Sequence, residues 1–117
     1  MRNIESLKLP RNSLGDAGIE KIFQSESLRH ITSIDVSGNN ITEVGAKAIA
    51  DESALCNLRV IDLRRNRVGD EGFELLIKMT GYPELTDLRL SHNHISEDGA
   101  KQLTMKCSLN KLKKLKI

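Results

Sequence analysis

The sequence predicts an α/β solenoid: strand–helix rows stacked so that a parallel β-sheet forms the concave side and α-helices the convex side. Three observations predict it. Branched aliphatic residues recur every 27 positions, an asparagine recurs at the same interval, and a glycine followed by a helical apolar stripe closes each row.

The strand positions come first. In rows of 27, Ile4, Ile31, Leu58, Leu85 and Leu112 share a column, as do Leu7, Ile34, Ile61, Leu88 and Leu115, and then Leu9, Val36, Leu63, Leu90 and Ile117. The last two columns lie two residues apart, so in a strand both side chains point to one face and the residue between them to the other. Four full rows and the start of a fifth fill residues 1–117 without a gap, and the whole reads as a single domain.

The helices follow. Gly18, Gly45, Gly72 and Gly99 each precede a stripe at i, i+3, i+4 spacing: Ile19, Ile22 and Phe23; Ala46, Ile49 and Ala50; Phe73, Leu76 and Ile77; Ala100, Leu103 and Thr104. Gly15, Thr42, Gly69 and Ser96 are expected as N-caps. The acids behind them, Asp16, Glu43, Asp70 and Glu97, are expected to favour the positive end of their own helix. Each helix should run for about three turns.

One strand and one helix bury too little apolar surface alone, whereas stacked copies share a continuous core. Asn12, Asn39, Asn66 and Asn93 fall where each strand bends into its turn. Their amides carry donors and an acceptor, so they are expected to bond exposed backbone groups and knit neighbouring turns together.

The rows, such as LTDLRLSHNHISEDGAKQL, resemble leucine-rich repeats. The Asn-x-Ile/Leu-x-x-x-Gly half, with Ala after the glycine in two rows, is similar to the ribonuclease-inhibitor-like subclass. The likeness runs from Ile4 to Ile117. It implies strands lining a concave sheet, helices outside, and protein binding as the activity. The uniform period and the scarcity of cysteine differ from the ribonuclease inhibitor itself, so ribonuclease inhibition is not implied. Neither end shows the polar capping repeat of a solenoid, which raises association through uncapped ends.

Composition limits the alternatives. Eighteen basic and sixteen acidic residues give a net charge of +2, too little for a field that would draw the whole molecule to nucleic acid or membrane. No apolar run reaches the roughly 18 residues of a membrane helix, and MRNIESLKLP lacks a signal-peptide core, so a cytoplasmic location is expected. Cys56 and Cys107 are too few for a disulfide scaffold and are expected to be reduced. The lysines of LNKLKKLKI read as exposed positions of the final strand rather than a lipid-binding segment.

The stretch IDLRRNRVGDEGFELL places Gly69 and Gly72 near a helix start, but no phosphate-loop lysine or third glycine accompanies them. Its outward residues are more informative. The positions facing away from the core across the rows are Lys8, Arg11, Asp35, Asp62, Arg64, Arg65, Asp87, Arg89, His92, Lys114 and Lys116, which form the expected partner-binding concave face. Seven cations there stand against three aspartates, an excess of four, which suits an acidic protein surface with Arg64, Arg65 and Arg89 as anchors. Nucleic acid is disfavoured because Phe23, Phe73 and Tyr82, the aromatic residues, fall on helix or return positions. His92 and His94 form a His-x-His pair, but no familiar ligand spacing completes a metal site; no cofactor and no enzymatic activity are expected. Two other functions are weighed: a structural or self-assembling segment of a larger receptor or effector, and regulation of a small GTPase or of actin by analogy of fold.

Overall fold

The computed structural model describes residues 5–104 and 111–117, and for residues 102–104 the backbone alone. Ile4, Cys107 and the side chains of Leu103 and Thr104, used above, lie outside this description. Among the described residues, five short strands, β1 (Ser6–Lys8), β2 (Ser33–Asp35), β3 (Val60–Asp62), β4 (Asp87–Arg89) and β5 (Lys114–Lys116), alternate with four α-helices, and a 3-10 turn (Glu26–Leu28) lies on the first return. The helices are α1 (Gly15–Phe23), α2 (Glu43–Asp51), α3 (Gly69–Ile77) and α4 (Glu97–Thr104).

The strands form one parallel sheet in sequence order, and its register is the repeat itself: Ser6 lies opposite Ser33, Ser33 opposite Val60, Val60 opposite Asp87 and Asp87 opposite Lys114. Each helix packs against the next, α1 on α2, α2 on α3 and α3 on α4. A parallel strand pair needs a crossover, and here one short helix of about two and a half turns supplies it in each row.

Between sheet and helices runs one core. Ile31, Ile34, Val36, Leu58, Ile61, Leu63, Leu85, Leu88 and Leu90 enter it from the strand side, and Ile19, Phe23, Ala46, Ile49, Phe73, Leu76 and Ile77 from the helices. Leu7 and Leu9 in the first row, and Leu115 in the last, are only half-buried because no further row covers them among the described residues.

The asparagine column forms the expected ladder. Asn66 Oδ1 accepts from the backbone N–H of Asn39 (2.8 Å) and Ile41 (3.0 Å), and its Nδ2 donates to the carbonyls of Val36, Leu63 and Arg64. Asn39 holds the N–H groups of Asn12 and Leu14 in the same way, and Asn93 that of Val68. Asn39, Asn66 and Asn93 are buried; Asn12, at the edge of the stack, is exposed.

The capping expectation is met in two rows and corrected in two. Thr42 Oγ1 accepts from Val44 N–H (3.2 Å) and Ser96 Oγ from Gly99 N–H (2.9 Å). Gly15 and Gly69 have no side-chain oxygen to cap with. They turn left-handed instead (φ 64° and 69°) and donate their N–H to the carbonyls of Asn39 and Asn93 in the next row.

The acids behind them are also redirected. Asp16 accepts from Thr42 N–H (2.8 Å), Thr42 Oγ1 (2.6 Å) and Gly45 N–H (3.0 Å). Asp70 accepts likewise from Ser96 N–H and Oγ. Both carboxylates therefore serve the positive end of the following helix, not of their own. The 27-residue period thus carries an alternation, rows with Gly-Asp binding rows with Thr-Glu or Ser-Glu.

Candidate functional site

The strand residues between the core columns face away from the helices and build the concave surface. Ser6, Ser33, Val60, Asp87 and Lys114 align in one band, and Lys8, Asp35, Asp62, Arg89 and Lys116 in the next. Just past the strands, Arg11, Gly38, Arg65 and His92 occupy a shared left-handed turn position, with φ between 56° and 65°. That conformation suits glycine, and only the second row has it; the other three rows hold large side chains there. The turn is fixed by the neighbouring row, since Arg11 N–H donates to Ser37 O, Gly38 N–H to Arg64 O, and Arg65 N–H to Ser91 O at 2.9 Å.

Two hollows lie along this surface. A larger one of about 420 Å³ is lined by Arg64, Arg65, Asp87, Arg89, Ser91, His92, Lys114 and Lys116. A second of about 320 Å³ is lined by Pro10, Arg11, Ser37, Gly38, Arg64 and Arg65. Arg64 and Arg65 line both, so the hollows meet at the middle row. Most of the residues expected on the concave face thus gather in one trough; Lys8 and Asp35 stand beside it, and Asp62 lies beneath it.

Asp62 is only 3% exposed. Its carboxylate accepts from Arg64 Nε (2.9 and 3.1 Å), Arg64 Nη2 (2.8 Å) and the Arg64 backbone N–H (3.1 Å), while Arg89 Nη1 stands 3.9 Å away. The bond to Asp62, reinforced by its charge, raises the Arg64 pKa and holds the guanidinium still more firmly protonated. Asp62, one of the residues expected on the partner-binding face, is thus buried and bonded to Arg64, with Arg89 nearby. Asp35 does a smaller version of this, accepting from Ser37 N–H (3.0 Å). Asp87 accepts from Thr86 Oγ1 (3.1 Å) and faces Arg89 Nη2 at 3.8 Å.

Ser91, Ser37, Gly38 and Pro10 also line the trough, and their signal was present in the sequence as the two turn columns that follow each strand. A side chain at Gly72 would collide with Val68 and press on Ala46 and Glu43, so its smallness serves helix packing. All three aromatic residues are buried, Phe23 edge-on to Tyr82 with ring centroids 6.3 Å apart, which leaves no stacking surface for bases on the sheet. Among the described residues no group of three or more His, Cys, Asp or Glu side chains converges as a metal site, and no helix is long and apolar enough to cross a membrane.

Comparison with known proteins agrees with this architecture. A family model described as Leucine Rich repeat matches residues 1–23, 27–50, 54–76 and 83–103, one stretch for each full row. None of the curated proteins compared with the chain matches it.

Proposed function

This chain belongs to the leucine-rich repeat family, and from that premise we propose that it is a recognition module which binds a protein partner on its concave face. Leucine-rich repeats generally mediate protein–protein interaction and are typically not enzymes. The observation that carries the concave reading is the trough: two hollows joined at Arg64 and Arg65, on a surface whose backbone is held row to row. Rigid scaffolds that present such side chains bind without first ordering a loop. The proposal is of binding, not catalysis, in a reducing compartment such as the cytoplasm; Cys56 is exposed and forms no disulfide among the described residues.

The test blocks the face sterically and leaves its charge alone. Ser33→Tyr with Val60→Tyr places two rings on adjacent strands, and Val44→Tyr, at an exposed position of α2, is the control on the helical side. Immobilised native chain and the Val44→Tyr control are expected to retain the same protein from cell extract, and the doubly substituted chain to lose it while keeping its circular dichroism. Equal retention by all three would refute concave binding. A chain that sediments as a concentration-dependent oligomer and retains nothing would favour the alternative of a self-assembling segment.

A further inference from the structure

We propose that the partner presents an acidic, extended segment to strands β3–β5, and that its carboxylates are held by Arg65, Lys114 and Lys116 rather than by Arg64 and Arg89. The proposal rests on the concave reading above and names the chemistry of the partner. It starts from which cations already have an anion. Arg64 is bound through Nε and Nη2 to the buried Asp62, and Arg89 sits between Asp62 and Asp87, 3.9 and 3.8 Å from them. Bringing a carboxylate to either arginine sets it against an aspartate already in place.

Arg65, Lys114 and Lys116 differ. All three are exposed, all three line the larger hollow, and none forms an ion pair among the described residues. Five cations and one acid, Asp87, stand on the wall of that hollow, with Asp62 under it. After the two aspartates are matched to the two arginines, three positive charges remain. Arg65 is also fixed at its base, because its left-handed backbone (φ 59°) is tied to Ser91. A guanidinium on a fixed base loses less freedom when it engages an anion.

The spacing selects the ligand. Lys114 and Lys116 are two residues apart on β5, about 7 Å, and Arg65 stands in the turn just past β3, which lies two strands away, so its backbone is about 10 Å or more from β5. One phosphate is too compact to meet charges spread over that distance. An extended peptide, advancing about 3.3 Å per residue, delivers carboxylates at such intervals. With every aromatic residue buried, a nucleic-acid strand would find phosphate contacts but no stacking.

The experiment uses the whole chain and labelled probes of about ten residues: alternating glutamate and serine, its glutamine counterpart, that counterpart carrying one phosphoserine, and an oligothymidine. Fluorescence anisotropy at low salt is expected to show the glutamate peptide bound about tenfold or more tighter than any other probe, with affinity falling as salt rises. Arg65→Gln with Lys114→Gln and Lys116→Gln should weaken it about tenfold or more, and Arg89→Gln less than about threefold. Stronger binding of the phosphoserine peptide or the oligothymidine, absent binding of the glutamate peptide, or an unchanged triple variant would each overturn the proposal. Partner capture separates the two readings. A protein lost on Ser33→Tyr with Val60→Tyr but kept by the triple variant leaves concave recognition standing and removes the acidic segment; a protein kept by both removes the two together.

Discussion

The carboxamide of Asn66 satisfies the buried N–H groups of Asn39 and Ile41, which the bend between strand and turn would leave bare, and donates to the carbonyls of Val36, Leu63 and Arg64, of which Leu63 O also accepts from Asn93 and Arg64 O from Gly38 N–H. Orphaned buried groups cost about 1–3 kcal/mol each. Asn66→Ala is therefore expected to lower the unfolding free energy by roughly 3 kcal/mol or more in urea titration. Asn12 stands in the same column, but among the described residues its exposed amide donates to Pro10 O alone, and Asn12→Ala should cost less than about 1 kcal/mol. Similar losses at the two positions would mean that the ladder does not hold the turns. The contrast also explains why a column of identical residues need not be a column of equal contributions: each amide acts on the row before it, and none precedes Asn12 among the described residues.

Between rows, the notable device is one helix capped by the acid of another. Asp16 holds the first turn of α2 through three hydrogen bonds, and Asp70 does so for α4 through two. The space is closed around them; a β-carbon at Gly45 would lie 2.5 Å from Asp16 Oδ1. Asp16→Ala strips a charged acceptor from α2 and should destabilise the chain by about 2 kcal/mol. Ala17→Ser, on an exposed neighbour, should change little, so an equal loss from both would deny the cross-row cap. The strand, core and asparagine columns were legible in the sequence because a constant period forces equal residues into equal environments. The redirected caps were less so. Gly-Asp alternating with Thr-Glu and Ser-Glu was visible, but columns read one at a time conceal a relation that connects position 16 to position 42. The concave face was legible as a place. The division of its cations was not, because whether Asp62 sinks beneath Arg64 depends on how a three-residue strand curves against its neighbours.

Stacked rows touch mainly their neighbours, and such arrays unfold piecemeal when nothing spans them. Here something does. Tyr82, on the return from the third row, donates its hydroxyl to Ile49 O at the end of α2 (2.6 Å) and meets Phe23 of the first row edge-on. Burial, and secondarily the charge of Glu52, pushes the Tyr82 pKa far above its ordinary value. The sign follows directly. The folded state keeps the phenol neutral, whereas the unfolded chain ionises it near pH 10. Its contribution is therefore complete below about pH 10 and is lost as pH rises toward the folded value. Tyr82 is the single tyrosine of the chain, so tyrosinate absorbance reports this one ring. In alkaline titration the absorbance is expected to rise only together with loss of the circular dichroism of the rows. Tyr82→Phe should lose about 1 kcal/mol at neutral pH through the missing hydroxyl bond, and should show a shallower fall in stability above pH 10 than the native chain. Ionisation near pH 10 with the helical signal intact would show that the return segment opens by itself and that the rows are joined by nearest-neighbour packing alone.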